Sequence, residues 1–304
     1  MSVFEEMNAF VKVVDAGSIT GAANRLDTAK SAVSRRLSEL ETRLGVQLLK
    51  RSTRRMSLTE TGKSYYEQCV RILADVEETE SAVTTENAAL KGKLRITAPL
   101  SFGVLHLSSA VADFMEEHPK LTLDVQLSDS QINLIDEGYD LAIRIADLND
   151  SMLIARRLTS IKMIACASPG YLKQHGTPQT PEDMIDHAFL HYGNRTDSIW
   201  SYRDKQGNAG RVRLNRVLSA NNGSFLRDIA IANRGLMIEP VFIVYKAIER
   251  GELIPILQDH QWATLNAYAV YPPTRHLSHR VRIFIDFLVQ RFGDNPYWDA
   301  CLNH

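Results

Sequence analysis

Two groups of polar and basic side chains near the N-terminus are suited to contact nucleic acid. The first group falls at helical spacing on one stripe and comprises Lys30, Ser31, Ser34 and Arg35. On a helix, hydroxyl, ammonium and guanidinium groups can read base edges in the major groove or grip phosphates. The second group is a basic run that suits a phosphate backbone or a minor groove and comprises Arg51, Arg54 and Arg55. A solvated surface is the alternative interpretation of such a run.

The distribution of charge favours a nucleic-acid partner. Residues 1–64 carry eleven Lys and Arg against seven Asp and Glu, a net charge of +4, whereas the whole chain of 304 residues carries −1. The remainder of the chain therefore carries −5. A basic N-terminal segment on an otherwise acidic chain indicates that this segment binds a polyanion.

Three short helices are predicted to position these residues. In the first helix, apolar residues recur at three- and four-residue spacing and are expected to be buried: Phe4, Met7, Phe10, Val11 and Val14. Ser18 is the expected N-cap of a second helix that contains Ala22 and Ala23. The third helix is predicted from about Lys30 to Leu44, and its buried face comprises Val33, Leu37, Leu40 and Leu44.

A hairpin and a long helix follow. Apolar residues on both sides of the basic run predict two short strands with a charged tip, which completes a winged helix-turn-helix over residues 1–58. From Thr59 as N-cap, a helix is predicted to about Ala89, within a linker at residues 59–90. Its narrow apolar stripe comprises Tyr66, Cys69, Leu73, Val76 and Val83. The stripe favours pairing with a second copy of the chain, and packing on its own domain is the alternative.

Strands and helices alternate after the break at residues 91–93. The segments LRITAP, LTLDVQL and DLAIRIA predict strands separated by helices near residues 104–115 and 132–137. Such βαβ alternation predicts a parallel sheet covered on both faces. Further predicted strands are MIACAS, FLHY and a hairpin around QGN, and further predicted helices lie near residues 225–233, 242–250 and 279–292. Residues 91–304 are therefore expected to form an α/β domain.

The N-terminal motifs resemble a known family. GSITGAANRL, SAVSRRLSELE, LGVQLLKRSTRR and LTETG, all between Phe10 and Gly62, resemble the DNA-binding domain of LysR-type transcriptional regulators. The resemblance implies an α+β multidomain protein with a winged helix-turn-helix, a dimerising linker helix and a C-terminal α/β domain. It implies that this domain has two subdomains like those of a periplasmic solute-binding protein, at about residues 91–162 with 268–295 and at about 163–267. It also implies a homodimer that assembles to a homotetramer on interrupted palindromic double-stranded DNA, with RNA polymerase as a further candidate partner.

The resemblance further implies an effector cleft between the two subdomains. The loop from Pro99 to Gly103 leads from a strand into a helix N-terminus, where amides and the helix dipole favour an anion. The effector is therefore expected to be small and anionic. Its expected contact residues are Ser101, Phe102, Ser128, Arg144, Asn221 and Asn222. Structural roles are the alternatives, namely a helix cap at Ser101, an ion pair at Arg144 and a turn with an N-cap at Asn221 and Asn222.

The third helix departs from the family pattern at its start. Ala29 stands where family members commonly have serine or threonine. Because alanine caps poorly, Asp27, Thr28 or a shifted helix start is expected to satisfy the first amides.

Catalysis, metal binding and membrane insertion are not indicated by the sequence. It contains no GxSxG, GxxxxGK[ST], GxGxxG or HExxH motif. Two histidine pairs have metal-like spacing but no evident third ligand: His187 with His191, and His276 with His279. Three cysteines without CxxC spacing are expected to be reduced thiols: Cys69, Cys166 and Cys301. No cofactor is expected, and the acidic N-terminus and lack of a long apolar run predict a cytoplasmic protein.

Two other functions compete with a regulator at this point. The α/β half alone would suit a solute-binding protein, but the predicted basic winged helix and the lack of an export signal argue against it. An enzyme whose N-terminal helices only mediate association would need a catalytic constellation that the sequence lacks. The sequence therefore predicts a DNA-binding regulator that responds to a small molecule.

Overall fold

The chain folds into two units, Met1–Lys93 and Leu94–His304. The computed structural model describes residues 2–51, 56–84, 90–130, 134–146, 154–193, 199–272 and 277–302. Within these ranges, the side chains of Arg51, Met56 and residues 77–84 and 135–136 are not described.

The first unit is built from helices and one hairpin. Its elements in the described residues are α1 (Val3–Ala16), α2 (Ile19–Arg25), α3 (Lys30–Leu44), β1 (Leu49–Arg51), β2 (Met56–Leu58) and α4 (Glu60–Thr84). The three predicted short helices and the predicted hairpin are thus confirmed. Ser18 caps α2 as predicted, because its Oγ accepts a hydrogen bond from Gly21 N at 3.0 Å. Gly45 ends α3 in the left-handed conformation, with φ of 68°.

The inward face of α1 differs from the prediction at its first turn. Phe4 is 48% exposed, whereas Glu6 is only 6% exposed. Arg43 of α3 donates from Nε and Nη2 to Glu6 Oε2, at 2.9 and 2.7 Å. This ion pair turns Glu6 inward, so the buried face of α1 continues through Phe10 and Val13 and leaves Phe4 outside.

Glu41 connects α3 to the hairpin. Its Oε1 accepts hydrogen bonds from Leu48 N at 2.8 Å and Leu49 N at 3.1 Å. The hairpin then pairs Leu49 with Leu58 in antiparallel register. The predicted tip residues Arg54 and Arg55 lie outside the described residues.

The first half of α4 packs on its own domain. Thr59 Oγ1 accepts a hydrogen bond from Gly62 N at 2.8 Å, which confirms the predicted N-cap. Cys69 is fully buried in the core of the unit, and Tyr66 and Leu73 pack against that core. The prediction that this part of the stripe faces a second chain is therefore wrong, because α1 already covers it. The side chain of Val83 and residues 85–89, at the predicted end of the helix, lie outside the described residues.

The second unit contains three sheets with flanking helices. Its strands are β3 (Gly92–Ala98), β4 (Leu121–Leu127), β5 (Leu141–Ala146), β6 (Ile154–Ile161), β7 (Met163–Ala167), β8 (Phe189–Tyr192), β9 (Ile199–Arg203), β10 (Ala209–Arg213), β11 (Arg216–Ala220), β12 (Leu236–Pro240), β13 (Ile254–Ile256), β14 (Gln261–Trp262) and β15 (Leu265–Tyr271). Its helices are α5 (Leu100–Phe102), α6 (Ser108–Glu117), α7 (Leu134–Glu137), α8 (Pro169–His175), α9 (Gly223–Ile231), α10 (Val241–Glu249) and α11 (His279–Phe292). A π-helical turn, Gly103–Leu107, joins α5 to α6, and 3-10 turns occupy Glu182–Asp186 and Tyr297–Leu302.

The two five-stranded sheets are mixed, so the prediction of a parallel sheet is wrong. Their strand orders are β4-β3-β5-β15-β6 and β11-β8-β12-β7-β13, and a third sheet has the order β10-β9-β14. β3 runs parallel to β5, and β8 runs parallel to β11 and β12. β15 and β7 run antiparallel to their neighbours. The chain enters the second large sheet at β7 and returns to the first at β15. Each of these strands therefore runs opposite to the βαβ strands of the sheet that it joins.

Candidate nucleic-acid interface and ligand cleft

The polar stripe of α3 lies on the face opposite the core. Lys30, Ser31 and Arg35 are exposed and Ser34 is half-buried, while Val33 and Leu37 are buried on the other side. Arg35 Nε lies 3.7 Å from Glu39 Oε1 in an exposed pair one turn along the helix. Exposed pairs of this kind contribute little to stability, so a nucleic-acid group can replace Glu39 at small cost.

The start of α3 is as predicted, but its capping is not. Ala29 occupies the N-cap position, and none of the described side chains caps the helix. The predicted rescue by Asp27, Thr28 or a shifted start is therefore wrong. The backbone supplies part of the compensation, because Ala32 N donates to Ala29 O at 3.0 Å. The positive end of the helix dipole beside exposed Lys30 suits a phosphate.

The hairpin places further basic residues after α3. Lys50 is exposed in β1, and Arg51 is the last residue of that strand. Since the side chain of Arg51 and all of Arg54 and Arg55 fall outside the description, the predicted role of these three residues stays a prediction.

A cavity of about 690 Å³ lies in the second unit. It is bounded by the carboxyl ends of β3, β4 and β5 from one large sheet and of β8 and β12 from the other. Ligands bind in this position in α/β folds. Its described polar lining comprises Ser101, Ser128, Asp129, Arg144, Tyr192 and Glu239. Its apolar walls include Phe102, Leu134, Ile238 and Phe242.

Four of the six predicted effector residues line this cavity. They are Ser101, Phe102, Ser128 and Arg144. Asn221 is exposed, and neither Asn221 nor Asn222 is among the described lining residues. Asn222 instead caps α9, because its Oδ1 accepts a hydrogen bond from Phe225 N at 3.0 Å. The oxygen of this side chain is thus engaged in the cap that was the alternative interpretation, and the role of Asn221 and Asn222 in effector binding stays a prediction.

Ser101 links the two sides of the cleft. Its Oγ accepts hydrogen bonds from Asn222 Nδ2 and from Ser224 Oγ, both at 3.2 Å. Ser101 follows β3 of one large sheet, whereas Asn222 and Ser224 follow β11 of the other. Ser101 still carries its own hydroxyl proton as a donor.

The amide at the start of α5 is already engaged. Leu100 N donates to Asp129 Oδ1 at 3.0 Å, so an incoming anion would have to displace a carboxylate. One amide of the predicted anion site is therefore engaged, and the binding of an anion at this loop stays a prediction. Arg144 is the only basic side chain among the described lining residues. Its Nη1 donates to Ser130 O at 3.1 Å, and burial lowers its pKa.

His106 contacts the backbone of Phe242, a residue that lines the cavity. One ring nitrogen, Nε2, lies 2.9 Å from Phe242 O, and the other, Nδ1, lies 2.6 Å from Tyr297 Oη. Burial lowers the pKa of His106 to about 4, so the ring is neutral near pH 7. The aromatic rings of Phe102 and Phe242, which both line the cavity, meet edge to face at 5.5 Å.

Sequence reasoning missed three polar groups of the cleft. Glu239 is the penultimate residue of β12 and is 1% exposed. Burial raises the pKa of its carboxyl to about 8. Tyr192 ends β8, and burial together with the nearby carboxyls of Asp129 and Glu239 raises the pKa of its hydroxyl to about 12. Trp200, from β9, completes this side. For Glu239, the available signal in the sequence is an acid inside the otherwise apolar segment LMIEP.

Metal ligation and membrane spanning find no support in the described part of the chain. No group of three or more His, Cys, Asp or Glu side chains there could hold a metal ion. His187 Nδ1 lies 3.3 Å from Tyr171 Oη, and His276 falls outside the described residues. The described helices include none with the length and apolar character needed to cross a bilayer. All three cysteines are described, and they are buried thiols outside any disulfide.

Two family models cover most of the chain. Residues 4–63 match the bacterial regulatory helix-turn-helix protein of the lysR family. Residues 87–293 match the LysR substrate binding domain.

Characterised regulators are similar over nearly the whole length. The transcriptional regulator CrgA of Neisseria meningitidis serogroup C is 36% identical across 96% of this chain and 97% of CrgA. The transcriptional activator AaeR of Escherichia coli K12 is 33% identical across 96% of this chain and 94% of AaeR. The solved structure of CrgA matches with a TM-score of 0.62 at 35% identity, over 95% of this chain and 99% of CrgA. The chain belongs to the LysR family of bacterial transcriptional regulators.

Proposed function

We propose that this LysR-type regulator reads an interrupted palindrome in double-stranded DNA through α3 and the hairpin, and that a small effector in the cleft alters this binding. The proposal that the protein binds DNA rests on the exposed stripe of Lys30, Ser31 and Arg35 on α3. A helix of this kind reads bases with side chains near its N-terminus. Because the chromosome is its target, we also propose that the protein acts in the cytoplasm and is not an enzyme.

The proposed contacts divide into two classes. Ser34 and Arg35 are proposed to contact base edges, because they lie one turn into α3 on its outward side. Lys30, Ser31 and the basic hairpin are proposed to contact phosphates, which contribute affinity without sequence preference. The uncapped start of α3 supports the phosphate contact, since its dipole favours a negative charge.

In the proposed assembly, α4 holds a dimer together, and two such dimers form a tetramer. Since Leu73 belongs to the core of its own domain, the dimer contact is assigned to Ile72 and Val76. These residues are four apart on one side of α4, and Ile72 is 39% exposed. Two-fold pairing would place each such patch against its copy.

The double substitution Ile72→Glu with Val76→Glu is expected to convert dimers to monomers. Four like charges would be buried across the two-fold axis, so association should weaken by a large factor. Analytical ultracentrifugation of the full chain measures the effect. Glu67→Gln, at an exposed position of the same helix, is the control and should leave the dimer intact. A dimer of unchanged affinity in the double variant would place the interface elsewhere.

The effector is proposed to be small, with an anionic group held by Arg144 and by the hydroxyl of Ser101. Arg144 can offer a charge-assisted hydrogen bond to a carboxylate. A cavity of about 690 Å³ suits a small organic molecule. Because the cleft joins both large sheets, a ligand that prefers one closure state shifts the population of DNA-binding geometries.

Fluorescence anisotropy with the DNA upstream of the regulator's own gene tests the proposed function. The full-length protein should bind this duplex more tightly than a scrambled duplex of equal length, and the difference should persist as salt is raised. Equal affinity for both duplexes, here and with a genome-wide fragment pool, would reject sequence-specific regulation.

A further inference from the structure

Glu239 is a buried carboxyl at the wall of the cleft, without a hydrogen-bonding partner among the described residues. Neither of its carboxyl oxygens has a hydrogen-bonding partner within the described residues. The side chain lies against the start of α9, because a Cβ placed on Gly223 would come within 2.5 Å of Glu239 Oε2. Both Glu239 and Gly223 line the cavity.

The buried carboxyl of Glu239 lowers the stability of the folded protein. A buried polar group that lacks a hydrogen bond is unfavourable, and a buried charge is more so. The raised pKa of Glu239 shows the same cost, since protonation removes the charge. Leucine or methionine at this position would avoid this loss of stability, which indicates that the carboxyl has a function.

Trp200 presents a second buried polar group at the same cavity. Trp200 Nε1 is buried and has no hydrogen-bonding partner in the part of the chain that the structure describes. Trp200 also lines the cavity. An acceptor on β12 and a donor on β9 are therefore both held ready where a ligand would lie.

We propose that Glu239 is the specificity-determining residue of the cleft, and that it accepts a hydrogen bond from a hydroxyl or amino group of the effector. This inference rests on the proposed function, in which the cleft holds the effector. The cavity walls between the polar groups are apolar and include Phe102 and Ile238. They suit a ligand whose middle part is apolar. The ligand class is thus a small hydroxy or amino acid whose donor lies at the end opposite its carboxylate. Glu239 excludes the matching molecule that lacks the donor, because that molecule would leave the carboxyl buried and unpaired.

Matched probes test this assignment. The probes are para-hydroxyphenylacetate, para-aminophenylacetate and para-methylphenylacetate, together with the three pentanoates that carry the same groups at the far end. Thermal shift and isothermal titration are measured at millimolar probe with the full-length protein and with Glu239→Leu and Glu239→Gln. Both variants should fold, since each removes an unpaired buried acid. Glu252→Gln, an exposed acid outside the cavity, is the matched control.

The protein should bind a hydroxyl or amino probe roughly 10- to 100-fold more tightly than the methyl analogue. Glu239→Leu should abolish this preference, while Glu252→Gln should keep it. Equal stabilisation by donor and methyl probes, or a donor preference that persists in Glu239→Leu, overturns the role of Glu239.

The two failures can be told apart. If the methyl probes bind as well as the donors, and Arg144→Ala removes both responses, the cleft remains the effector site but Glu239 does not select the ligand. If no probe of either series stabilises the protein, the ligand class is wrong, and a buried water is the better account of the carboxyl. DNA binding by anisotropy decides the proposed function independently of either result.

Discussion

Gly62→Ala is expected to destabilise the first unit by about 3 kcal/mol, which is at the upper end of overpacking costs. A Cβ at this position would lie 2.0 Å from the carbonyl oxygen of Leu48 and 2.8 Å from its carbonyl carbon. These are backbone atoms, so no side chain can rotate to make room. Thr59 stabilises this close contact between the start of α4 and Leu48, because its amide donates to Leu48 O at 3.0 Å.

The expected consequence extends to DNA binding. Moving the first turn of α4 away from Leu48 would shift the hairpin that Glu41 anchors to α3. Thermal and urea unfolding measure stability, and anisotropy measures DNA affinity at a temperature where the variant is still folded. Ser64→Ala, at an exposed position two residues along, should change stability by less than about 0.5 kcal/mol. Equal stability of Gly62→Ala and Ser64→Ala would mean that α4 does not approach Leu48 so closely.

The second large effect is a pH-dependent gain in stability for Glu239→Gln. The pKa of Glu239 is about 8 in the folded protein, against an ordinary value of 4.5. Between these values the folded state holds a proton that the unfolded state has released. Folding stability from this group therefore falls as the pH rises, by at most ~1.4 kcal/mol per pH unit. Glutamine cannot ionise, so the variant should overtake the wild type progressively from pH 5 to pH 8.

Unfolding of both proteins at several pH values checks this result. Two other titratable groups interact with Glu239, namely Tyr192 and Cys166. The comparison cancels their own contributions to the pH dependence, because the variant retains both. A constant difference between the two proteins across the range would show that Glu239 is not buried as a neutral acid.

The helices of the first unit could be predicted because their signals are local. The heptad-like spacing of Val33, Leu37 and Leu40 fixes which side of α3 is inward, and all three are buried. The position of Phe4 could not be predicted in this way. It depends on the ion pair between Glu6 and Arg43, which are 37 residues apart in sequence.

The cleft was predictable only where a motif leads into it. Ser101 and Arg144 were found through the family resemblance and do line the cavity. Tyr192, Trp200 and Glu239 come from three separate segments that only the tertiary fold brings together. The mixed sheets escaped prediction for a similar reason, because β7 and β15 are short apolar strands whose direction depends on where the chain crosses between sheets.

Competition binding with Ser34→Ala and Arg35→Ala is the most direct test that α3 reads DNA. A specific duplex, taken from the bound upstream region, and a scrambled duplex are titrated against each variant and against Lys173→Ala, an exposed basic residue of the second unit. Each α3 variant should lose roughly 1 to 3 kcal/mol of affinity for the specific duplex and much less for the scrambled one, whereas Lys173→Ala should match the wild type. Unchanged affinity for both duplexes in both α3 variants would remove this helix from the DNA interface and contradict the account.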